Sequence, residues 1–129
     1  MHAAAAMYDA PADAQGPLID SQAADWERTY CVFIHLSHLV MFLLGLPIVV
    51  PLILWLAKRD NSPLVDHHGR EALNFEISLL IYAIPIGIVT CGIGSIFAIV
   101  LGFVGGVMAV LAASRGQYFC YPMCFRFIH

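Results

Sequence analysis

The stretch Ser62 to Tyr82, SPLVDHHGREALNFEISLLIY, decides the reading of this chain, because here a dense set of polar side chains runs directly into a long apolar segment. Ser62 followed by Pro63 has the form of a helix start. The serine oxygen can accept an orphan backbone N–H, and proline's missing donor costs nothing in the first turn. At about 100° per residue, Asp66, His67, Arg70, Glu71, Asn74 and Ser78 share a stripe about 140° wide, with Val65, Ala72, Phe75, Leu79 and Leu80 opposite. Gly69 lies within the same polar run. Glu76 departs from the pattern: it projects from the apolar face, where the sequence becomes hydrophobic enough to enter a bilayer.

The rest of the composition agrees with a bilayer. Of 129 residues, 60% are hydrophobic and 12% charged, and the mean hydropathy is +0.81, far from the balance of a soluble domain. The net charge is −3, and five of the nine acids precede residue 28, which leaves no basic surface for nucleic acid. The four cysteines, Cys31, Cys91, Cys120 and Cys124, lie in or beside apolar segments without CxxC spacing and read as small apolar residues.

Residues 1–28 read as a disordered acidic tail, since their Ala, Asp, Gln and Pro content shows no apolar periodicity. The membrane domain spans residues 29–129, entered through the amphipathic girdle of Trp26 and Tyr30. From Tyr30 to Ala57 there is no formal charge. As one helix this stretch would be about 42 Å long, against a hydrocarbon core of about 30 Å. Gly45, Pro47 and Pro51 in its middle predict a break. It forms either one tilted, broken span or two half-length helices that enter and return. A second span runs from about Phe75 to Thr90 and turns at CGIGS, Cys91 to Ser95. The third runs from about Ile96 to Ala113, where Ala98, Gly102 and Gly106 recur every fourth position and permit close helix approach. Gly116 caps it, and QYFCYPMCFRFIH is placed along the membrane surface. The expected fold is thus an all-α membrane protein with three hydrophobic helical segments, or four if the first divides. Arg and Lys in the 58–75 loop and the tail place both on the cytoplasmic side. The N-terminus is then outside for the single span, the preferred reading, and inside for the half-helix pair.

Cys31, His35 and His38 fall on one helical face at a spacing that can present ligands to a metal. The alternative has His35, Ser37 and His38 as intramembrane polar groups bonded to neighbouring helices. Asp66, His67, His68 and Glu71 similarly read as a pH or metal site, or as a solvated helix start with an Asp66–Arg70 pair. Glu76 must find a partner, reach water or stay protonated. A hydrogen bond to the first segment or to another subunit is its expected role. No nucleophile–base pair, phosphate loop or paired catalytic carboxylates can be assembled, so no catalytic residue, metal or cofactor is expected.

The run WLAKRDNSPLVDHHGREALNFEIS, with HLS at His35 to Ser37 and RGQYFCYP and FRFI between Arg115 and Ile128, resembles a family of small bacterial and archaeal multi-pass proteins related to the Tic-twenty-like subunit of the chloroplast inner-envelope translocon. The resemblance covers residues 29–129 and rests on Asp66, Gly69, Glu71, Ala72, Asn74 and Phe75 in order. His38, His68, Cys120 and Cys124 lie outside that pattern. It implies a non-enzymatic protein of the bacterial inner membrane, a small subunit or scaffold that meets the lipid bilayer and either its own copies or a membrane partner. The alternative is a small oligomeric channel or transporter whose polar stripe lines an aqueous entry.

Overall fold

A computed structural model describes residues 18–45 and 48–129. Among them the chain forms four α-helices: α1 (Asp25–Leu43), α2 (Val49–Lys58), α3 (Pro63–Val89) and α4 (Ser95–Ser114), with a 3-10 turn at Arg59–Asn61. Asp25 and Glu27 sit in the first turn of α1, at the positive end of its dipole. Glu27 Oε2 also accepts the Ala24 N–H at 2.6 Å.

The long apolar stretch does break where glycine and proline were expected to break it. Gly45 has φ 73° and Ile48 φ 78°, while Pro47 lies outside the described residues. Pro51 causes no kink, because it occupies the first turn of α2, where the N–H has no helical partner. The two halves run antiparallel: Tyr30 Oη donates to Leu54 O at 2.8 Å near one end, and Val40 and Val50 line the same groove near the other. The chain therefore turns back and does not form the single broken span, but the two helices are not half-length partners: α1 has 19 residues and α2 has 10.

Ser62 caps α3 by accepting the Val65 N–H at 3.3 Å, with Pro63 in the first turn. The helix continues through Pro85 for 27 residues. A turn with Cys91 at φ 52° and Gly92 at φ 92° reverses the chain, and α4 returns beside α3. Only α3 and α4 are long and apolar enough to cross a membrane among the described residues, so a third spanning segment is not shown.

At the far end of α4 the left-handed Gly116 (φ 67°) turns the chain toward the N-terminal segment. Asp20 N donates to Gly116 O, and Tyr118 N to Leu18 O, both at 2.9 Å. Residues 18–24 therefore lie against the start of the C-terminal tail. The start of α1, the end of α2, the start of α3, the end of α4 and that tail all meet at one end of the bundle. The N-terminal segment is thus on the same side as the 58–62 loop, the reverse of the single-span placement.

Burial divides α3 in two. From Leu64 to Leu79 nearly every residue is buried, whereas Ile88 and Val89 are 75% and 83% exposed. The first half is enclosed by α1, α2, α4 and the tail. The second half meets the tail at Tyr82 and beyond it presents isoleucines outward, as does the start of α4 with Ile96, Phe97, Ile99 and Val100. An apolar exterior of this kind fits hydrocarbon and not water.

Candidate functional site

The site is the polar stripe of α3, and what it meets is the protein's own C-terminus. Residues 117–129 form no helix, so their backbone N–H and C=O groups have no helical ladder. In apolar surroundings each must find a side chain or carry a desolvation cost. The stripe supplies the partners. His68 Nε2 donates to Gln117 O at 2.8 Å and His67 Nε2 to Phe119 O at 2.9 Å. Glu71 Oε2 accepts the Tyr121 N–H at 3.0 Å. Tyr82 Oη donates to Met123 O at 2.8 Å, where the chain turns back with Met123 at φ 54°.

On the return, Ser78 Oγ accepts the Phe125 N–H at 2.8 Å. Asn74 then uses both ends of its amide: Oδ1 accepts from Phe127 and Ile128 at 3.0 and 2.8 Å, and Nδ2 donates to Ile128 O at 2.9 Å. Arg126 Nε closes on Glu71 Oε1 at 3.1 Å. The tail thus runs out along α3 as far as Tyr82 and returns, instead of lying along the membrane surface. Burial raises the thiol pKa of Cys120, and raises that of Cys124 to about 11, so both stay protonated at neutral pH.

Beneath the tail is a chain of rings. Tyr121 Oη lies 2.9 Å from His35 Nδ1, His35 Nε2 lies 2.9 Å from His68 Nδ1, and His68 Nε2 reaches Gln117 O. The carbonyl can only accept, so His68 Nε2 carries a proton. A neutral His68 then accepts at Nδ1 from His35 Nε2–H, and His35 Nδ1 accepts from the tyrosine hydroxyl. Every bond is satisfied in this one direction with both imidazoles neutral. A second proton on His68 would fill Nδ1 and remove the acceptor that His35 Nε2–H needs.

Farther along α1, His38 Nδ1 meets Glu76 Oε1 at 2.8 Å, both side chains fully buried. Glu76 Oε2 has no hydrogen-bond partner among the described residues. Ser37 bonds locally to Ile34 O. Cys31 sits in an apolar cluster with Ile34, Leu64 and Val65, so His35 and His38 turn to α3 and the tail, away from Cys31. Among the described residues no group of three or more His, Cys, Asp or Glu side chains is arranged to hold a metal ion.

At the open end of α3, Asp66 is held between two elements. Trp55 Nε1 donates to Oδ1 at 2.9 Å, and Arg70 pairs with Oδ2 at 2.7 Å. Gly69 lets α2 approach, since a Cβ there would collide with the Trp55 ring. On α4, Ala98, Gly102 and Gly106 are buried within the chain. A Cβ on Gly106 would come within 2.5 Å of Leu39 on α1, and one on Gly105 within 2.8 Å of Phe75 on α3. The small residues therefore seat helices of the same chain.

Residues 26–128 match the family model for the magnetosome magnetite crystal formation protein family, MamF/MmsF. The chain belongs to that family. No curated protein and no solved structure matches it. The MamF/MmsF match replaces the Tic-twenty-like resemblance: the motif of Asp66, Gly69, Glu71, Ala72, Asn74 and Phe75 belongs here to the MamF/MmsF family, and only the general plan of a polar helix start feeding an apolar helix was shared with the chloroplast component. No link to protein import is carried over from it.

In this MamF/MmsF member, sequence reasoning missed the groups that meet the stripe. Tyr121 joins the histidine chain and stacks on Phe75 with ring centroids 3.9 Å apart. Trp55, Tyr82 and Arg126 were also left outside the site. The available signal was the aromatic QYFCYP run: tyrosines in an apolar tail need hydroxyl partners, and the unpartnered polar stripe of α3 was the place to seek them.

Proposed function

We propose that this protein is a non-enzymatic, multi-pass component of the magnetosome membrane that supports magnetite crystal formation as a small subunit or scaffold. The observation that carries this reading, beside the family match over residues 26–128, is the use of the buried polar stripe. Its side chains bind the protein's own tail backbone, so they fix a shape instead of opening a pocket to a substrate. A stripe lining an aqueous entry would require that tail to leave, stranding its backbone groups. The outer surface offers apolar side chains on α3 and α4 for lipid or for a membrane partner.

The test is deletion in a magnetosome-forming host, followed by complementation with the parent and with a chain ending at Gly116. The parent, fused to a fluorescent protein, should co-fractionate with magnetosomes and restore crystal size and shape in electron micrographs. The shortened chain should not. An unchanged crystal population in the deletion strain, or a fusion spread evenly over the cell envelope, would count against the reading.

A further inference from the structure

At the end of the bundle where residues 18–24 meet the start of the C-terminal tail, a cavity of about 370 Å³ opens between the first turns of α1 and the end of α4, lined by Asp25, Arg28, Thr29, Val32, Phe33 and Ser114. Its lining is both polar and apolar. Arg28 makes no ion pair or side-chain hydrogen bond with any described residue, and its Nε is buried without a partner. With Nε enclosed beside Gly116, the two terminal Nη groups are left for a phosphate at the membrane edge, which can take both at once. Trp26 and Tyr30, beside it in α1, are residues typical of the headgroup level.

Two further features narrow the ligand. Asp25, exposed at the same mouth and likewise without an ion pair among the described residues, opposes a purely anionic group but suits an ammonium. Below the cavity, the exposed side chains of Phe33, Leu36 and Val40 run along α1. With Val50 and Leu54 of α2 they bound an apolar groove of about 490 Å³. Phe33 lines both spaces, so a charged mouth leads onto a hydrocarbon track.

We infer that Arg28, Asp25 and Thr29 form a binding site for a phosphatidylethanolamine-type lipid, with its phosphate on Arg28, its amine on Asp25 and an acyl chain along Phe33, Leu36 and Val40. The lipid anchors the α1–α2 hairpin at the membrane edge, since neither α1 nor α2 is among the helices long and apolar enough to cross a membrane. Basic pockets between helices at a membrane face are known to take lipid headgroups. The inference rests on the membrane placement of α1 and not on a role in crystal formation. A deletion strain with normal crystals would leave it standing.

The test uses the full chain in detergent, titrated with phosphatidylethanolamine or phosphatidylglycerol and read by native mass spectrometry. The parent should retain phosphatidylethanolamine in preference. Arg28→Gln should weaken retention about tenfold, the loss expected for a charge-assisted hydrogen bond. Asp25→Asn, an exposed change that leaves folding intact, should keep lipid binding but remove the preference between headgroups. Inorganic phosphate and glycerophosphoethanolamine should not displace the lipid. Equal retention of both lipids by the parent, full retention by a folded Arg28→Gln, or displacement by inorganic phosphate would each overturn the assignment.

Discussion

Asn74 concentrates at one residue what the α3 stripe does along its length. It makes three side-chain bonds to the Phe127–Ile128 backbone, each contributing about 0.5 to 1.5 kcal/mol net. Asn74→Ala should therefore lower stability by roughly 2 to 4 kcal/mol, seen as a lowered midpoint of thermal unfolding in one detergent. An unchanged midpoint would show that the tail is not held there. For Glu76 the measure is shape against charge. Glu76→Gln keeps an acceptor for His38 and should remain near the parent, whereas Glu76→Leu removes it and should cost about 1 to 3 kcal/mol. A leucine variant as stable as the parent would contradict a bonding role for the His38–Glu76 contact. The sequence alone placed Glu76 off the polar stripe, on the face that the bilayer or a helix must meet. That His38 is its partner was not legible, because a partner 38 residues away depends on how α1 crosses α3.

At the scale of elements, the breakpoints were legible and their consequence was not. Glycine and proline chemistry located the interruption near Gly45, and Ser62–Pro63 located the start of α3, since both are local effects of φ preference and capping. Whether the halves of the Tyr30–Ala57 stretch continue or return depends on Ile48 taking φ 78° and on Tyr30 reaching Leu54, neither of which a periodicity encodes. The small residues on α4 likewise announced close packing without naming the neighbour. Gly69 gives the sharpest element-level test. Gly69→Ala drives a methyl group into the Trp55 ring and should separate α2 from α3, destabilising the protein by about 1 to 3 kcal/mol. Trp55→Ala should destabilise by itself, and in its presence Gly69→Ala should cost little. Additive losses in the double-mutant cycle would mean that the two residues do not share one contact.

Across the whole molecule, the arrangement places residues 18–24 and the start of the C-terminal tail at one end and the Cys91 turn at the other. A membrane-impermeant thiol reagent should therefore label a protein retaining only Cys91 from the side opposite that of an N-terminal tag. Labelling from the same side would reverse the hairpin reading of α1 and α2. The composition declared a membrane protein and the stripe declared a buried polar surface, but the tail that fills the stripe was signalled only by its tyrosines and Arg126, because most of its bonds to the stripe are made by backbone atoms, which carry no sequence signal. That filling is the central claim, and one contact tests it directly: Ser78 Oγ lies 3.8 Å from Cys124 Sγ. In a chain with Cys31, Cys91 and Cys120 replaced by alanine, Ser78→Cys should form an intramolecular disulfide with Cys124 under mild oxidation. It would be read by mass spectrometry as a monomer two hydrogens lighter, about 2 Da, a bond whose sulfurs need Cβ atoms only about 4 Å apart. A Ser78→Cys variant whose introduced thiol stays reduced and reacts freely with a hydrophilic thiol reagent would contradict it, and would return the stripe to water.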